Sequence, residues 1–369
     1  MKRILITGGA GFIGSRLARA LLEADASCRI WILDNLHPQV HGPEAAAPDL
    51  GPRVSFLRGD VGEAKDVQAA VSASTPELVY HLAAETGTGQ SYDEPARYCR
   101  VNVMGTTHLV EALRAQGSAR RVVLAASRAV YGEGAYRDRD GRECVGQPRD
   151  AASLAAGRFD APLPAGHAGP GTPAPSHAGL RPAPASIYAS TKLMQEYVLA
   201  QAGEGAPWNA VMLRFQNVYG PGQSLLNPYT GVLSIFARQL LEGKSLAIYE
   251  DGDIARDFVF VDDVVDALVR AGDAAVPHGT IVDIGLGQAA TILAVAKSLM
   301  RALDRPEDAF RITGAFRVGD IRHACADIEA AGRLLGWRPR IGINEGLGRL
   351  AQWARAEHAS TIPAVGGMP

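Results

Sequence analysis

The sequence of 369 residues contains little cysteine and little lysine, and neither sign of charge is in large excess. Its four cysteines lie far apart without a CxxC pair, which argues against a disulfide framework, and no histidine/cysteine cluster has the spacing of a metal site. The formal net charge is −2, and no run of basic residues alternates with aromatic ones. We therefore expect no bound metal, no nucleic-acid partner and no membrane partner.

Long hydrophobic runs are also absent. The first apolar run, residues 4–6, stops at Thr7 and Gly8, too early for the core of a secretory signal, and no later run resembles a membrane span. Together with the dispersed cysteines, this pattern favours a cytoplasmic protein. The length and the hydrophobic content of 47% are sufficient for two hydrophobic cores.

Short β-rich runs alternate with amphipathic stretches along the first half of the chain. Strands are predicted at residues 3–7, 29–33, 54–58, 78–81 and 122–126, and helices at 12–24, 64–72 and 96–116. This alternation is typical of βαβ units, and a run that is apolar on both faces, such as 122–125, suits a sheet covered on both sides. The expected fold class is α/β, with a Rossmann-type doubly wound parallel sheet.

The second half of the chain is also α/β but less regular. Helices are predicted at residues 186–201, 231–242, 262–272, 292–303 and 343–357, and strands at 211–215, 246–249, 258–261 and 281–284. Asp262 and Thr291 are the expected N-caps of two of these helices. Residues 136–185 are rich in proline, glycine, alanine, arginine and aspartate, which predicts a surface insertion that is ordered only if it packs on a neighbouring part.

A glycine-rich turn follows the first predicted strand and opens the first predicted helix. Gly8 permits the tight turn, Gly11 lets the backbone approach a pyrophosphate, and Gly14 lets the helix pack closely on the sheet. Asp34 stands at the end of the second strand, where its carboxylate would accept hydrogen bonds from ribose hydroxyls and repel a 2′-phosphate. This combination predicts NAD rather than NADP. The cofactor-binding residues expected in the turn are Gly8, Gly11, Phe12, Ile13 and Gly14.

Two further segments are expected near the adenosine end of the cofactor. Asn35 directly follows Asp34, and Asp60 and Val61 follow the third predicted strand. Because the carboxyl ends of parallel strands meet at one edge of the sheet, these residues are candidates for contacts with ribose and adenine.

Only one of the ten tyrosines, Tyr188, has a lysine four residues later, Lys192. On a helix this spacing places both side chains on one face. A compact ammonium group can reach ribose hydroxyls beside a phenol, and it would lower the phenol pKa together with the positive nicotinamide ring. Tyr188 could then act as a base, while Ser127, which closes the fifth predicted strand, would share the hydrogen bond of the substrate hydroxyl.

These motifs together resemble the extended short-chain dehydrogenase/reductases, the family of nucleotide-sugar epimerases, dehydratases and decarboxylases. The resemblance covers nearly the whole chain except the insertion, and it includes the runs 8–14, 81–84, 131–132, 188–192, 217–221, 256–258 and 319–323. It implies further cofactor-binding positions at Leu82, Ala83, Ala84 and Asn102. It implies substrate-binding positions at Thr86, Ser127, Asn217, Val232, Arg256 and Arg322. Asn217 and the two arginines would bind the nucleotide diphosphate, since arginine suits phosphate oxygens.

The residues after Ser127 separate the branches of the family. Dehydratases carry an Asp-Glu pair there, which supplies the acid and base for water elimination, whereas this chain has Arg128 and Ala129. The chain therefore resembles the 4-epimerases of the family. The runs 227–232 and 250–252, together with the long insertion, are most similar to dTDP-L-rhamnose 4-epimerases, and the chain is also similar to UDP-glucose 4-epimerases. Cys144 stands alone in the insertion, where some relatives have paired cysteines, so no zinc is expected. Gln216 replaces the aromatic residue that is usual before the asparagine, which bears on sugar geometry and reaction outcome.

The resemblance implies epimerisation of a dTDP- or UDP-hexose at C4 through a transient 4-keto sugar, with NAD regenerated in each cycle. Two alternatives stay open: a NAD(H)-dependent 4-ketoreductase or sugar dehydrogenase that uses the same residues, and a non-catalytic NAD-binding scaffold. Residues 1–218 are expected to form the NAD-binding domain and 219–369 the nucleotide-sugar domain, with about 257–285 returning to the first. Helices 96–116 and 186–201 would form the four-helix interface of a homodimer, as in the family.

Overall fold

The strands of the protein begin close to the positions that the apolar runs predict. The computed structural model describes residues 2–42, 45–225, 227 and 231–361. The strands are β1 (Arg3–Thr7), β2 (Arg29–Asp34), β3 (Val54–Arg58), β4 (Leu78–His81), β5 (Arg121–Ser127), β6 (Ala135–Arg137), β7 (Glu143–Val145), β8 (Thr172–Pro173), β9 (Asn209–Phe215), β10 (Asn217–Tyr219), β11 (Leu246–Ile248), β12 (Ala255–Phe260), β13 (Thr280–Ile284), β14 (Ala289–Thr291) and β15 (Phe310–Ile312).

The helices lie between these strands. They are α1 (Phe12–Ala24), α2 (Pro38–His41), α3 (Ala64–Ser74), α4 (Thr88–Asp93), α5 (Pro95–Tyr98), α6 (Gly105–Gln116), α7 (Ala151–Ala155), α8 (Ile187–Gly203), α9 (Val232–Leu241), α10 (Val261–Asp273), α11 (Ile292–Ala302), α12 (Glu329–Leu335) and α13 (Ile343–Thr361). A π-helical segment, Cys99–Met104, joins α5 to α6. The predicted helix 96–116 is therefore one continuous helical rod that is wider over residues 99–104. A 3₁₀ turn, Arg128–Tyr131, follows β5.

Seven strands form one parallel sheet in the order β3-β2-β1-β4-β5-β9-β13. The strand order reverses between β1 and β4, which is where open α/β sheets bind ligands. Thr7 is in register with Leu33 and His81, and Ser127 with Phe215, so the carboxyl ends of the strands line up along one edge. The Rossmann-type parallel sheet expected from the sequence is confirmed.

Helices cover both faces of this sheet. Leu17 of α1 and Leu268 of α10 pack on one face, together with residues of α12. Val67 of α3, Leu109 of α6 and Leu199 of α8 pack on the other. Because both faces are sealed from water, β4 and β5 are apolar on both sides.

The C-terminal half builds a second, smaller core beside the carboxyl edge of the main sheet. Its strands form the sheets β10-β12-β14 and β11-β15, and Leu233 of α9, Leu299 of α11 and Leu350 of α13 cover them. The chain returns to the main sheet through α10 and β13, and β13 pairs with β9. This path follows the one expected for residues 257–285, while the domain limits themselves stay predictions.

Most of the insertion, residues 136–185, packs as an ordered unit on the rest of the chain. Strand β6, which begins just before it, pairs antiparallel with β7 and with β8, and Tyr136, Cys144 and Ala161 form a small core. Leu180 packs against Tyr131, which follows β5. Although this segment has little apolar periodicity, it therefore forms a compact unit, which is stabilised by its contact with the main body.

The two expected N-caps have different outcomes. Thr291 caps α11 through its side chain, which accepts a hydrogen bond from the Ala294 amide at 3.1 Å, as predicted. The prediction for Asp262 is wrong, because α10 begins at Val261 and Phe260 is its cap residue. Asp262 lies in the first turn instead, where it pairs with Arg16 at 2.8 Å. Within the described residues, no helix is both long and apolar enough to cross a membrane.

Candidate active site

The glycine turn between β1 and α1 adopts a conformation that side chains would obstruct. Gly8 has a φ of 71°, and a Cβ there would lie 2.7 Å from the Ala83 amide nitrogen. A Cβ at Gly14 would collide with the Gly8 carbonyl, while one at Gly11 would meet only that carbonyl, at 3.3 Å. Phe12 is the first residue of α1. The turn therefore leaves the amino end of α1 accessible, and such an end favours a phosphate group.

Asp34 ends β2 and braces this turn. One carboxylate oxygen accepts a hydrogen bond from the Ala10 amide at 3.0 Å, and the other from the Leu36 amide at 2.9 Å. The Asn35 side-chain amide donates to Asp60 at 3.2 Å, and Val61 is buried directly beyond it. The structure thus brings together the residues that the sequence places at the adenosine end of the cofactor.

The predicted residues after β4 face the glycine turn. The Leu82 amide donates to the Thr7 carbonyl at 3.0 Å, and the Ala83 amide to the Thr7 hydroxyl at 3.3 Å. Ala84 follows and is half-buried. Thr86 lies further along and is exposed. This segment and the glycine turn form the two walls of a crevice at the carboxyl edge of β1 and β4.

Asn102 lies in the π-helical segment and is fully buried. Its side-chain oxygen accepts from the Glu85 amide at 2.8 Å, and its nitrogen donates to the Glu85 carbonyl at 3.1 Å and to the Thr191 hydroxyl at 2.9 Å. These bonds tie the segment after β4 to α8. Asn102 therefore positions the crevice, and its direct contact with a cofactor stays a prediction.

Helix α8 presents the predicted catalytic pair. The Ser186 hydroxyl caps the helix by accepting a hydrogen bond from the Ala189 amide at 3.1 Å. The helix therefore begins at Ile187, one residue before Tyr188. The half-buried phenol of Tyr188 lies beside Ser127 at the end of β5. Tyr98 packs edge-on against it, with ring centroids 6.3 Å apart. Tyr98 was not found from the sequence, because nothing in its local pattern distinguishes it from a core residue.

The pKa of Tyr188 differs from the sequence-based expectation. Burial raises the pKa of its phenol above the ordinary value, and the hydrogen bond with Ser127 lowers it only in part. Lys192 is not among the groups that shift it. In the protein alone, Lys192 therefore does not lower the pKa of Tyr188 as the sequence predicts. Desolvation raises that pKa by more than the favourable contact with Ser127 lowers it.

Lys192 is a buried cation, with 3% of its surface exposed. Burial lowers its pKa to about 7, and the charge of Glu196 opposes that effect. Glu196 is engaged elsewhere, in a bidentate pair with Arg214 at 2.9 and 2.6 Å. Within the part of the chain that the structure describes, Lys192 forms no ion pair of its own. A buried ammonium group of this kind requires a polar ligand, and ribose hydroxyls meet that need.

His81 joins the crevice to α6 and α8 through a buried network. Its Nδ1 lies 2.7 Å from the Thr7 hydroxyl, and its Nε2 lies 3.0 Å from the Thr106 hydroxyl, which also accepts from Gln195 at 2.8 Å. Burial first, and then the charge of Lys192, lower the pKa of His81 to about 3. The imidazole is therefore neutral, and its hydrogen bonds to Thr7 and Thr106 fix the bottom of the crevice.

The predicted substrate residues lie on the C-terminal side of the crevice. Asn217 begins β10, two residues beyond the register partner of Ser127, and Val232 begins α9. The run 227–232 includes residues 228–230, which lie outside the described residues. Within the described residues, the side chain of Arg256 on β12 donates to backbone carbonyls, those of Ala255 and Ile321 at 2.8 Å and that of Arg322 at 3.5 Å.

Arg322 has different partners from those expected of a phosphate-binding residue. Its guanidinium forms a bidentate pair with Asp251 at 2.7 and 2.8 Å. Glu250 and Asp160 lie 3.2 and 3.4 Å away. These carboxylates already use its donors.

A buried ion network that the sequence did not reveal supports this region. Arg149, from the insertion, pairs with Glu133 at 3.0 Å and with Glu250 at 2.9 Å, and the side chains of all three are at most 2% exposed. The Glu133 carboxylate also accepts from the Arg322 amide at 2.7 Å. The insertion is therefore anchored directly to the substrate side of the crevice.

Gln216 is buried, as expected for a position between β9 and β10, with 5% of its surface exposed. Both its side-chain nitrogen and its side-chain oxygen lack a hydrogen-bond partner. Its effect on the reaction stays a prediction. Within the described residues, no group of three or more His, Cys, Asp or Glu side chains could hold a metal ion.

The crevice fits a dinucleotide. A Cβ at Gly8 or Gly14 would collide with neighbouring backbone, so glycine is needed for the tight turn at the amino end of α1. The charge of buried Lys192 acts on His81, which hydrogen-bonds Thr7 at the end of β1. These features match a pyrophosphate and a ribose diol. They are found at the strand edge where the order of the sheet reverses.

Comparison with known proteins agrees with this geometry. Residues 4–151 and 165–285 match the NAD dependent epimerase/dehydratase family. A dTDP-L-rhamnose 4-epimerase of Burkholderia thailandensis is 42% identical over 358 residues, which cover 96% of each chain. The solved UDP-glucose 4-epimerase of Thermotoga maritima with UDP-glucose has a TM-score of 0.77 at 27% identity, and the alignment covers 96% of this chain and 99% of that one. The Thermus thermophilus UDP-glucose 4-epimerase complex with NAD has a TM-score of 0.75 at 27% identity, with the same coverage.

The resemblance inferred from the motifs is thus confirmed on sequence and on fold, and NAD is the cofactor of the family. The match spans the glycine turn, the Ser127 strand and the α8 pair, but it omits residues 152–164 within the insertion. The chain belongs to the NAD dependent epimerase/dehydratase family.

Proposed function

We propose that the protein interconverts the two C4 epimers of a nucleotide-activated hexose or deoxyhexose, carried on dTDP or UDP. The observation that carries the proposal is the hydrogen bond between Tyr188 and Ser127 at the end of β5, with Lys192 one helical turn further along α8. The similarity to a dTDP-L-rhamnose 4-epimerase supports the sugar position and the reaction type.

The residues that would hold NAD line the crevice from end to end. Gly11 and the amino end of α1 would bind the pyrophosphate, and Asp34 would accept from the adenosine ribose. Lys192 would donate to the nicotinamide ribose. Bound NAD supplies a reversible two-electron acceptor beside the sugar.

Tyr188 and Ser127 move and hold the proton. Tyr188 accepts the proton of the C4 hydroxyl as C4 is oxidised to a ketone, and Ser127 donates a hydrogen bond to that oxygen. The ketone is planar, so reduction on its other face gives the inverted centre, and Tyr188 returns the proton. In the protein alone, burial disfavours the phenolate and Lys192 does not shift the pKa of Tyr188. With NAD bound, the positive nicotinamide ring together with a charged Lys192 would favour it.

The residues after Ser127 favour epimerisation over elimination. Removal of water from the sugar needs a carboxyl group at this point, and the chain has Arg128 and Ala129. Net reduction or oxidation by the same residues is the second candidate, since Ser127, Tyr188 and Lys192 serve that chemistry equally well. A non-catalytic scaffold would have no need for such a set.

We also infer that the protein is a homodimer of the cytoplasm. Met104, in the π-helical segment, and Met194 and Tyr197, on α8, are 46%, 45% and 48% exposed, and the two helical rods pack side by side. An apolar surface on these helices suits a second copy of the chain. The four cysteines are free, which suits a reducing compartment.

The experiment that tests the function uses the purified holoenzyme without added cofactor. It is incubated with dTDP- and UDP-sugars, and the products are followed by proton NMR at C4. We expect an equilibrium mixture of C4 epimers with no net change in NADH. Stoichiometric formation or loss of NADH would instead support the redox alternative.

The matched control is Tyr188→Phe, which keeps the ring and its contact with Tyr98 but removes the phenol oxygen. We expect turnover to fall by roughly 100-fold or more, while nucleotide-sugar binding persists. Turnover at the wild-type rate would refute the assignment of Tyr188 as the base.

A further inference from the structure

Four buried charged side chains lie on or beside α8, the helix that carries Tyr188. Lys192 and Glu196 are one helical turn apart on α8. Arg214 of β9 and Asp283 of β13 are register partners in the main sheet, and Arg214 contacts Glu196. Each of the four is at most 3% exposed. Two cations and two carboxylates are thus buried close together, and buried charges are normally paired.

Within the described residues, these four groups form a single ion pair. Both carboxylate oxygens of Glu196 accept hydrogen bonds from Arg214, at 2.9 and 2.6 Å. Asp283 has a neutral partner instead, the hydroxyl of Tyr131, which lies 2.9 Å from both of its oxygens. The Arg214 guanidinium also lies over the ring of Tyr131, with its Cζ 4.7 Å from the centroid. Lys192 is left without a carboxylate partner, although one stands a helical turn away.

Arg214 competes with Lys192 for Glu196. A guanidinium group binds both oxygens of a carboxylate at once, whereas an ammonium group is a single point charge, so the arginine is the stronger partner. Glu196 nevertheless acts on Lys192 through space. Burial lowers the pKa of Lys192 to about 7, and the charge of Glu196 opposes that effect. Lys192 therefore receives the field of a carboxylate without giving up its hydrogen-bond donors to it.

The other groups around Lys192 carry no charge at neutral pH. His81 of β4 is neutral, since burial and the charge of Lys192 lower its pKa to about 3. The phenol of Tyr188 has a pKa raised by burial and stays protonated. Asn102 is uncharged and donates to Thr191, the residue before Lys192. The charge of Lys192 is therefore set by Glu196 against the cost of burial.

We propose that Arg214 is a positioning residue for Lys192: its bidentate pair with Glu196 leaves the lysine ammonium group charged and free to donate to the nicotinamide ribose of NAD. The inference rests on the proposed function, which gives Lys192 that role. A direct pair between Lys192 and Glu196 would keep the lysine charged but use its donors. Loss of Glu196 would free the donors but weaken the charge. Arg214 thus acts on the cofactor site through Glu196.

The test follows the release of NAD from the NAD-loaded protein, by ultrafiltration over a series of pH values, so it does not depend on turnover. Lys192 loses its proton as the pH rises through its pKa, so NAD release from the wild type should become faster with rising pH. In Arg214→Met, the cation left for Glu196 is Lys192. We expect NAD release to be roughly 10-fold faster or more, because the lysine donors are then used within the protein.

Glu196→Gln separates the proposal from a merely structural role of the ion pair. Removing the charge that opposes burial must lower the pKa of Lys192, so the acceleration of NAD release should move to lower pH. Arg214 keeps a carboxylate beside it in this variant, because Asp283 is its register partner. The double variant Arg214→Met/Glu196→Gln should release NAD more slowly than Arg214→Met, because no carboxylate remains at position 196 to capture the lysine.

Three further variants serve as controls. Arg214→Lys keeps a positive charge against Glu196 and should release NAD at a rate closer to the wild type than Arg214→Met does. Asp283→Asn removes the other buried group that titrates near neutral pH, since burial raises its pKa to about 7, and it should leave the pH dependence in place. Arg301→Met removes an exposed cation that pairs with Glu307, and it should leave NAD release unchanged. Thermal unfolding shows which variants are folded, and if Arg214→Met is not, the pH shift in Glu196→Gln decides.

The same pH dependence of NAD release in Glu196→Gln and in the wild type would overturn the proposal. So would a double variant that releases NAD as fast as Arg214→Met or faster. Failure of the proposed function has a separate signature. A protein that shows the expected pH shift in NAD release but yields no C4 epimer would refute only the epimerase assignment.

Discussion

At the scale of single residues, two opposing effects set the pKa of Tyr188. Burial raises the pKa of its phenol, and the hydrogen bond with Ser127 lowers it. A base with a raised pKa is mostly protonated at neutral pH, so the fraction of active enzyme should increase with pH. Ser127 therefore has two roles, in orienting the substrate oxygen and in tuning the base.

Replacing Ser127 by alanine tests both roles. Removing a hydrogen bond that lowers the pKa of Tyr188 must raise that pKa, so the ascending limb of the kcat profile, which reports the base, should move to higher pH. We expect kcat at neutral pH to fall by roughly 10- to 100-fold. The measurement is a pH profile of epimerisation for the wild type and Ser127→Ala.

Ser127→Thr provides the control, since it keeps the hydroxyl and should keep the position of the limb. A limb unchanged in Ser127→Ala would show that the serine hydroxyl does not tune the phenol.

Local spacing in the sequence predicted those residues whose role depends only on the strand, helix or turn that contains them. Gly8, Asp34 and the Tyr188/Lys192 pair were all found from the order of strands and helices. The partners of Arg322 could not be found in this way, because Asp251 lies 71 positions away and only the folded chain brings the two together. The role of Arg322 as a diphosphate ligand stays a prediction.

At the scale of elements, the contacts of the insertion are likewise not predictable from local sequence patterns. Its composition predicts a surface segment, and nothing in its pattern indicates that Arg149 is buried with Glu133 and Glu250. Glu250 has a φ of 51°, a left-handed conformation that disfavours a residue with a side chain. The ion pairs with Arg149 offset that strain. The insertion borders a cavity of about 150 Å³, whose lining includes Asp160 and Arg322.

Arg149→Met should be strongly destabilising, because it leaves the buried carboxylate of Glu133 without its ion pair and leaves Glu250 paired only with Arg322, at 3.2 Å. We expect a loss of about 3–5 kcal/mol in the free energy of unfolding, measured by urea denaturation. Burial already raises the pKa of Glu133, so its protonation in the variant should make the loss smaller at pH 5 than at pH 8.

Arg338→Met is the matched surface control. Arg338 pairs with Glu329 at 2.8 Å, but both side chains are exposed, so its loss should lower the free energy of unfolding far less than Arg149→Met does. Adding Glu133→Gln to Arg149→Met should restore part of the stability, because one unpaired charge is removed. Equal losses in the Arg149 and Arg338 variants would show that the insertion is not anchored by this network.

At the scale of the whole molecule, the βαβ pattern predicted the central sheet because its strands are apolar on both faces and follow one another in a regular rhythm. The smaller sheets around β12 were less accessible to prediction. Their strands β10, β14 and β15 are three residues each, and their pairing depends on contacts across the chain.

Met194→Arg tests the proposed homodimer. Met194 is 45% exposed on α8, three residues before the exposed Tyr197, so a charge there would be buried unpaired in the proposed interface of two copies. We expect the mass in solution, measured by light scattering during size-exclusion chromatography, to fall from dimer to monomer. Ile312→Arg introduces the same charge at an exposed apolar residue of β15, away from α8, and should leave the dimer intact. NAD content should be normal in both variants, which separates loss of the interface from loss of the fold. A wild-type protein that is already monomeric at micromolar concentration would refute the dimer, and the apolar surface on α8 would then need a different partner.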